Sequence, residues 1–399
     1  MELQGNVEIQ RREGTKMINK LLKLSYAIVV VGLLFAQYAV AMPADDDPKA
    51  PGAEYLFPAP LEPQLSSDGM TLYNGVLPVV YVADPNPSPK PVRTPPPVNL
   101  LTAPQSATAT FSITYVANGG TDPWGAVCTT FPDTAKAAFD AAGSIWGNLI
   151  TSSVPITIRA CWADLGSSSI LGYSGGGPLR RDFTGAAVAN TWYGGALANA
   201  LAGSDLDPSS FDMHITYNLY FTWYYGTDGL TPAGTYDLMS VVLHEIAHGL
   251  NFSGSMSYSG TTGSWGYGTG YPNIYDTFMR DGLANPGNQL INTSVYPNPS
   301  TALGTALTGG AGGVWFHGSN AMAANGGVRV KIYAPATWSS GSSYSHLDYT
   351  TFHGTANRLM VYAISSGDSI HDPGPVTKGL LRDLGWPTPL SNLGTIQVF

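Results

Sequence analysis

Charge is scarce in this chain. Only 11% of its 399 residues are charged, well below the quarter or so typical of soluble domains, and the balance is a formal net charge of -9. A charge-poor, mildly acidic surface argues against nucleic acid as a partner. Cysteine is nearly absent: Cys128 and Cys161 are the only two. They lack C-x-x-C spacing, and in an oxidising compartment an even pair reads as one structural disulfide, here expected to staple a helix to the strand after it. Glutamate is missing altogether after Glu245, and histidine is limited to 7 positions. Against these shortages stand 47 glycines and 30 prolines, which make the chain rich in loops, and a hydrophobic content of 44%, which suffices for a packed core and excludes a disordered chain.

The one long apolar run, Leu24 to Val40, follows a basic start at Met17 to Lys23 and ends at Ala39-Val40-Ala41. A basic n-region, an apolar core and small residues before a cut describe a secretory signal peptide over residues 1–41, with Met17 as the alternative natural start. Cleavage after Ala41 leaves no stable membrane anchor and a secreted, extracellular or periplasmic product. Residues 42–106 carry Asp84-Pro-Asn-Pro-Ser-Pro-Lys-Pro and Pro95-Pro-Pro97 around a single strand-like run at Val76 to Val82. Such proline density favours extended chain, so this segment reads as a propeptide or a linker. A domain is expected over 107–389, followed by a C-terminal tail at 390–399.

Within that domain Thr110 to Val116 alternates as a strand, Thr134 to Ile150 has apolar residues at helical spacing with Asp133 as N-cap, and Val154 to Cys161 alternates again. Gly172 to Gly177 reads as a glycine-rich loop, Gly194 to Leu201 as a small-residue helix, and Met213 to Tyr220 as a strand. Val328 to Ala334 reads as a further strand, and Pro375 to Trp386 as a closing helix capped by Gly385. The fold class expected is α+β, with a mixed twisted sheet, one central helix and a loop-rich C-terminal subdomain.

The central helix carries the chemistry. His244-Glu245-Ile246-Ala247-His248 continues the apolar run from Leu238, with Asp237 as its N-cap. Histidines four apart share a helix face, so both imidazoles reach one ion while the intervening carboxylate stands beside it. Imidazole suits Zn²⁺, and a catalytic zinc takes three protein ligands and keeps a fourth position for water. Glu245 is then a general base rather than a ligand. A helix with two histidines satisfied by hydrogen bonds is the bland alternative, and a costly one to bury.

The third ligand must be His or Asp, because no glutamate follows. The compact H-E-x-x-H-x-x-G-x-x-H pattern would need glycine at 251 and histidine at 254, where this chain has Asn251 and Gly254. Asn tolerates the left-handed conformation of such a helix exit. His317, His346, His353 and His371 lie downstream, and Asp276 is the carboxylate alternative. His214 reads as structural. Asp276 and Asp348 could also orient histidine ligands. The sparse aspartates Asp205 and Asp207 form no recognisable calcium loop and leave calcium undetermined.

Ser345-His346 followed by Leu359-Met360, after His244 to Phe252, resembles the leishmanolysin-like metzincins, zinc peptidases in which a long insertion separates the helix motif from a Ser-His motif and a Leu-Met turn. The resemblance implies a zinc held by His244, His248 and His346, Glu245 as catalytic base, Met360 in a Met-turn beneath the metal, and Tyr362 as a possible steadier of the oxyanion. Asn251 and the long separation depart from that pattern. The implied activity is that of a secreted zinc-dependent endopeptidase acting on protein or peptide, with the substrate added along an edge strand, for which 213–220 is the candidate. A secreted adhesin on a peptidase fold, or a zinc hydrolase of non-peptide bonds, are the alternatives.

Overall fold

Alternating and continuous apolar runs assemble first into a sheet. In the computed structural model, residues 62–73, 76–87, 89–97 and 108–389 are described. The expected signal peptide at 1–41 and the expected C-terminal tail at 390–399 lie outside the described residues. The chain divides into units at 1–46 and 47–399, and every described residue belongs to the second.

Its main sheet is built from β1 (Val79–Ala83), β2 (Phe111–Tyr115), β3 (Cys128–Thr129), β4 (Ile156–Ala163), β5 (Ile170–Gly176), β6 (Met213–Asn218) and β7 (Ala363–Ile364), in the order β7-β1-β5-β6-β4-β2, with β3 on β4. β2, β4 and β6 run parallel, whereas β5 is antiparallel to β6. The expected α+β class with a mixed sheet is what forms. The parallel step from β2 to β4 needs a crossover, and helix α1 (Asp133–Leu149) supplies it. Asp133 sits in the first turn of α1 and pairs with Lys136, while Pro132 holds the cap position. Helix α2 (Gly195–Ala202) follows β5, helix α3 (Leu238–Gly249) follows β6, and helix α4 (Gly374–Leu384) closes the chain, with Gly385 in the left-handed conformation at φ 110°. A smaller sheet of Met279–Asp281, Val314–Phe316 and Val330–Ile332 lies in the region after α3.

Every residue of α3 is buried, as an all-round apolar sequence requires. Two indoles clamp it: Trp146 of α1 donates Nε1–H to the Leu243 carbonyl at 3.0 Å, and Trp386 donates to Leu250 at 2.7 Å. Asp237 caps its start as expected, accepting from the Ser240 amide at 3.1 Å and from His371 at 2.7 Å.

Three readings change. Gly172 to Gly177 is no loop: residues 170–176 are β5, in the interior of the sheet. The glycines give clearance, since a Cβ would come within 2.9 Å of the Thr216 carbonyl oxygen at 172, 2.6 Å of the Trp124 ring at 175 and 1.8 Å of the Phe211 carbonyl oxygen at 177. The 213–220 strand offers no edge, because β6 lies between β5 and β4. Part of the segment 42–106, expected as a propeptide or linker, joins the main sheet. Val79–Ala83 pairs antiparallel with β5 and parallel with β7, and the flanking Pro78 and Pro85 sit outside the strand where they cost no ladder bond.

Cys128 and Cys161 form a disulfide with their Cα atoms 5.4 Å apart. It ties β3 to its neighbour β4 rather than a helix to the sheet. Among the described residues no helix is long and apolar enough to cross a membrane. Replacing both cysteines by alanine opens a loop spanning 33 positions, and chain entropy then predicts a loss of about 3–4 kcal/mol, read from the denaturation midpoint and slope under non-reducing conditions.

Candidate metal centre

His244 and His248 project from one face of α3, and His346 arrives from the loop preceding Leu347. Their ring nitrogens converge: Nε2 of His244 lies 2.9 Å from Nε2 of His248 and 3.2 Å from Nε2 of His346. These are the only three His, Cys, Asp or Glu side chains grouped closely enough to hold a metal among the described residues. His346, the expected third ligand, is therefore the one brought to the pair.

Each imidazole is oriented from behind by a backbone carbonyl. Nδ1 of His244 meets the Leu359 oxygen at 2.7 Å, Nδ1 of His248 the Phe252 oxygen at 2.8 Å, and Nδ1 of His346 the Ser342 oxygen at 2.7 Å. A carbonyl oxygen only accepts, so each Nδ1 carries the hydrogen and each Nε2 presents a lone pair. Three lone pairs at such separations repel unless a cation lies between them. Protonation is disfavoured: burial drives His244 and His248 well below the usual histidine range and His346 down to about 4. The donor set fits a divalent metal.

The supports are local and specific. Asn251 takes φ 78°, and around it the Phe252 amide donates to the Ala247 carbonyl at 3.0 Å and the Asn251 amide to His248 at 3.0 Å, closing the helix in the Schellman manner. That reversal is what returns the Phe252 carbonyl to His248. Asn251 does more than a glycine would: its Oδ1 accepts from the Gly194 amide at 2.5 Å and its Nδ2 donates to Asn273 at 2.8 Å. Met360 is buried in a 3-10 turn, Arg358–Met360, whose Leu359 carbonyl serves His244. The Met360 carbonyl accepts from Leu347, the neighbour of His346, at 2.8 Å. The turn thus braces two of the three imidazoles.

Asp276 is not a ligand. Its carboxylate accepts from the amides of Ser255 at 3.0 Å and Asn273 at 2.7 Å, from the Ser255 hydroxyl, and from the Tyr344 hydroxyl at 2.8 Å. It pins the loop that delivers His346, because Tyr275 also donates to the Tyr344 carbonyl at 3.1 Å. Asp348 does not orient a histidine either; it caps the turn at Tyr349–Phe352 and pairs with Lys331 at 3.1 Å. Tyr362 packs its ring against Tyr333 and Tyr349, with centroids 4.6 and 5.2 Å away. The aromatic ring that lies on the imidazoles is a different one: Tyr81 of β1 stacks on His244 with centroids 3.5 Å apart and planes 7° from parallel. Sequence reasoning missed it, and only the isolated strand-like run around it gave a hint. His353 pairs with Asp84 at 3.2 Å and His371 with Asp237 at 2.7 Å, and His214 stands between the rings of Trp124 and Phe211, all structural roles.

Glu245 is fully buried, and the polar side chain beside its carboxylate, the Ser174 hydroxyl, donates to the Glu245 backbone carbonyl at 3.0 Å, leaving neither carboxylate oxygen with a well-formed hydrogen bond. Burial pushes its pKa well above the usual carboxylate range. It is also the only glutamate beyond Glu62. Such a group is expensive to bury unless something at the site answers it.

No family model matches the sequence, no curated protein matches it, and no solved structure matches the fold.

Two outcomes follow for metal content measured by elemental analysis. His346→Ala should lose the stoichiometric metal, whereas Asp276→Asn should keep one ion per chain while losing about 1–3 kcal/mol of stability through the weakened loop. Protons compete with the metal for the lone pairs, and the depressed histidine values move that competition downward. Occupancy after dialysis should therefore hold to about pH 5 and fall as pH drops through the region near 4, where His346 protonates; loss already at about pH 6.5, the ordinary histidine range, would contradict the arrangement.

Proposed function

We propose that this chain is a secreted zinc-dependent endopeptidase of the metzincin kind. The observation that carries the reading is the convergence of three neutral imidazole nitrogens beside one fully buried glutamate. Nitrogen donors of this type suit zinc. Three protein ligands rather than four favour a catalytic over a structural ion, because a structural zinc closes its coordination with protein. The braced turn at Met360 and the disulfide agree with the metzincin resemblance and with an oxidising compartment.

When bound by His244, His248 and His346, zinc would supply Lewis acidity toward a peptide carbonyl and make water a nucleophile near neutral pH. The protein's own part is played by Glu245. Burial favours its protonated form, which strengthens it as the base that takes a proton from the attacking water as the new C–O bond forms; it hands that proton to the amine nitrogen as the C–N bond breaks. The second water hydrogen stays on the new carboxyl group until that acid ionises, and the amine leaves neutral with the proton it received. The Leu359, Phe252 and Ser342 carbonyls hold the imidazoles in place throughout.

Glu245→Gln should lower the turnover of casein by about a hundred- to ten-thousand-fold and leave the zinc stoichiometry at that of the wild type. A variant that keeps its activity, or a zinc-loaded wild type that cleaves no protein or peptide, removes the peptidase reading.

A further inference from the structure

A cavity of about 420 Å³ opens between the C-terminal end of α1, the short helix Ser319–Ala324 and α4, and none of the metal-centre residues lines it. Its volume falls within the range of small-molecule sites, about 300–1,000 Å³. Hydrogen bonds fix its walls. The Asp383 carboxylate accepts from the Asn320 and Ala321 amides, each at 2.9 Å, and from the Asn320 side-chain amide at 2.8 Å, which pins the short helix to α4. Gly379 lets the two helices close up, since a Cβ there would stand 2.7 Å from the Asn320 carbonyl oxygen. The Thr151 amide, just past α1, donates to the Pro387 carbonyl at 2.8 Å and ties the third wall to the chain beyond α4. The cavity is therefore built into the packing of three elements.

Its lining divides by chemistry. Trp146, Leu149, Ile150, Ala323 and Ala324 present hydrocarbon, and the Trp146 nitrogen is already bonded to the Leu243 carbonyl. The charged groups are Lys378 and Arg382; no carboxylate lines the cavity among the described residues. That places two of the chain's 18 lysines and arginines on one small wall of a protein with a formal net charge of -9. Standing four apart on α4, the two cations share a helix face and repel. Lys378 has Asp372 at 3.0 Å. The Arg382 guanidinium has no ion-pair partner among the described residues, and its Nε is buried without a hydrogen bond. The helix dipole favours a cation in the last turn, but a side chain turned to water would gain as much. A guanidinium held against hydrocarbon gives up hydration that an anion would replace.

We propose that this cavity binds a monocarboxylate with an apolar body, of the class of a medium-chain fatty acid. The carboxylate pairs with Arg382, whose planar fork matches its two oxygens, and with Lys378, while the hydrocarbon lies on Trp146, Leu149 and Ile150. The site goes beyond the peptidase reading and shares no side chain with the metal ligands, so its occupancy is measurable whether or not the chain cleaves protein.

Isothermal titration of the zinc-loaded full chain with octanoate, kept below its micelle concentration, should give saturable one-to-one binding. Octylammonium, with the same body and the opposite charge, should not bind, and acetate should bind about a hundred-fold more weakly for want of methylenes to bury. Arg382→Gln should weaken octanoate about ten-fold or more, whereas Lys136→Gln, which removes an exposed cation outside the cavity, should leave it unchanged. Ala324→Trp, which fills the cavity, should abolish binding. Thermal melts verify that each variant is folded; should Arg382→Gln or Ala324→Trp unfold, the ligand series on the wild type decides. Heat that rises without saturation, octylammonium binding as well as octanoate, or a folded Arg382→Gln that binds as the wild type does would mark octanoate as an adventitious hydrophobe and overturn the proposal.

Discussion

Three lone pairs aimed at one point, with water excluded, are the constraint on which the molecule turns. Imidazoles in that arrangement repel one another and leave their polar edges unanswered, so the fold must hold them against their own preference until a cation arrives. It does so with backbone rather than side chains. The three carbonyls behind the rings belong to a helix exit at Phe252, a serine-rich loop at Ser342 and a 3-10 turn at Leu359. Backbone acceptors have no rotamers to lose, and their positions are set by neighbouring turns. The rings are therefore as fixed as the turns are.

That reliance on turns explains the chain's composition better than a general appeal to loops does. Asn251 takes a positive φ to bring one carbonyl back to its histidine. Asp276, Tyr275 and Tyr344 spend a buried carboxylate and two phenols on shaping the approach of His346. Glycine serves in the sheet as well, where Gly172 leaves space above Glu245 that any side chain would fill.

The part legible in the sequence was the part governed by local periodicity. Histidines at i and i+4, the Asp237 cap and the apolar surroundings of α3 depend on a few neighbouring residues, and the structure places them as the spacing requires. His346 and Met360 were found through a short motif pair rather than through any pattern of burial. What escaped depends on strand order and register, which no local pattern encodes. Gly172 to Gly177 has a loop's composition, but its glycines answer to close approaches from Thr216, Trp124 and Phe211. The 213–218 strand looks like any half-buried strand, and nothing in its residues says that both its edges are occupied. Tyr81 sits in a proline-bounded stretch that reads as a linker, and its contact with His244 exists only because Val79–Ala83 inserts between two strands distant in sequence.

A strand placed in this way creates tension between stability and use. Unpaired strand edges attract other strands, so an empty gap between β5 and β7 would be an adhesive slot. Filling it from the same chain removes the hazard, and main-chain bonding makes the filler exchangeable in principle, since the contacts to Gly341, Tyr362, Ile364 and Ser169 do not depend on side-chain identity. Side chains then decide how firmly it stays. Tyr81 adds a stacked ring over His244, and Asp84 adds a buried carboxylate that desolvation alone would raise but that hydrogen bonds from His353, Asn86, Ser365 and Tyr349 hold below its usual pKa. Those contributions are unique to this segment, and a passing peptide lacks them. The geometry between β5 and β7 therefore favours the chain's own strand over any other extended segment.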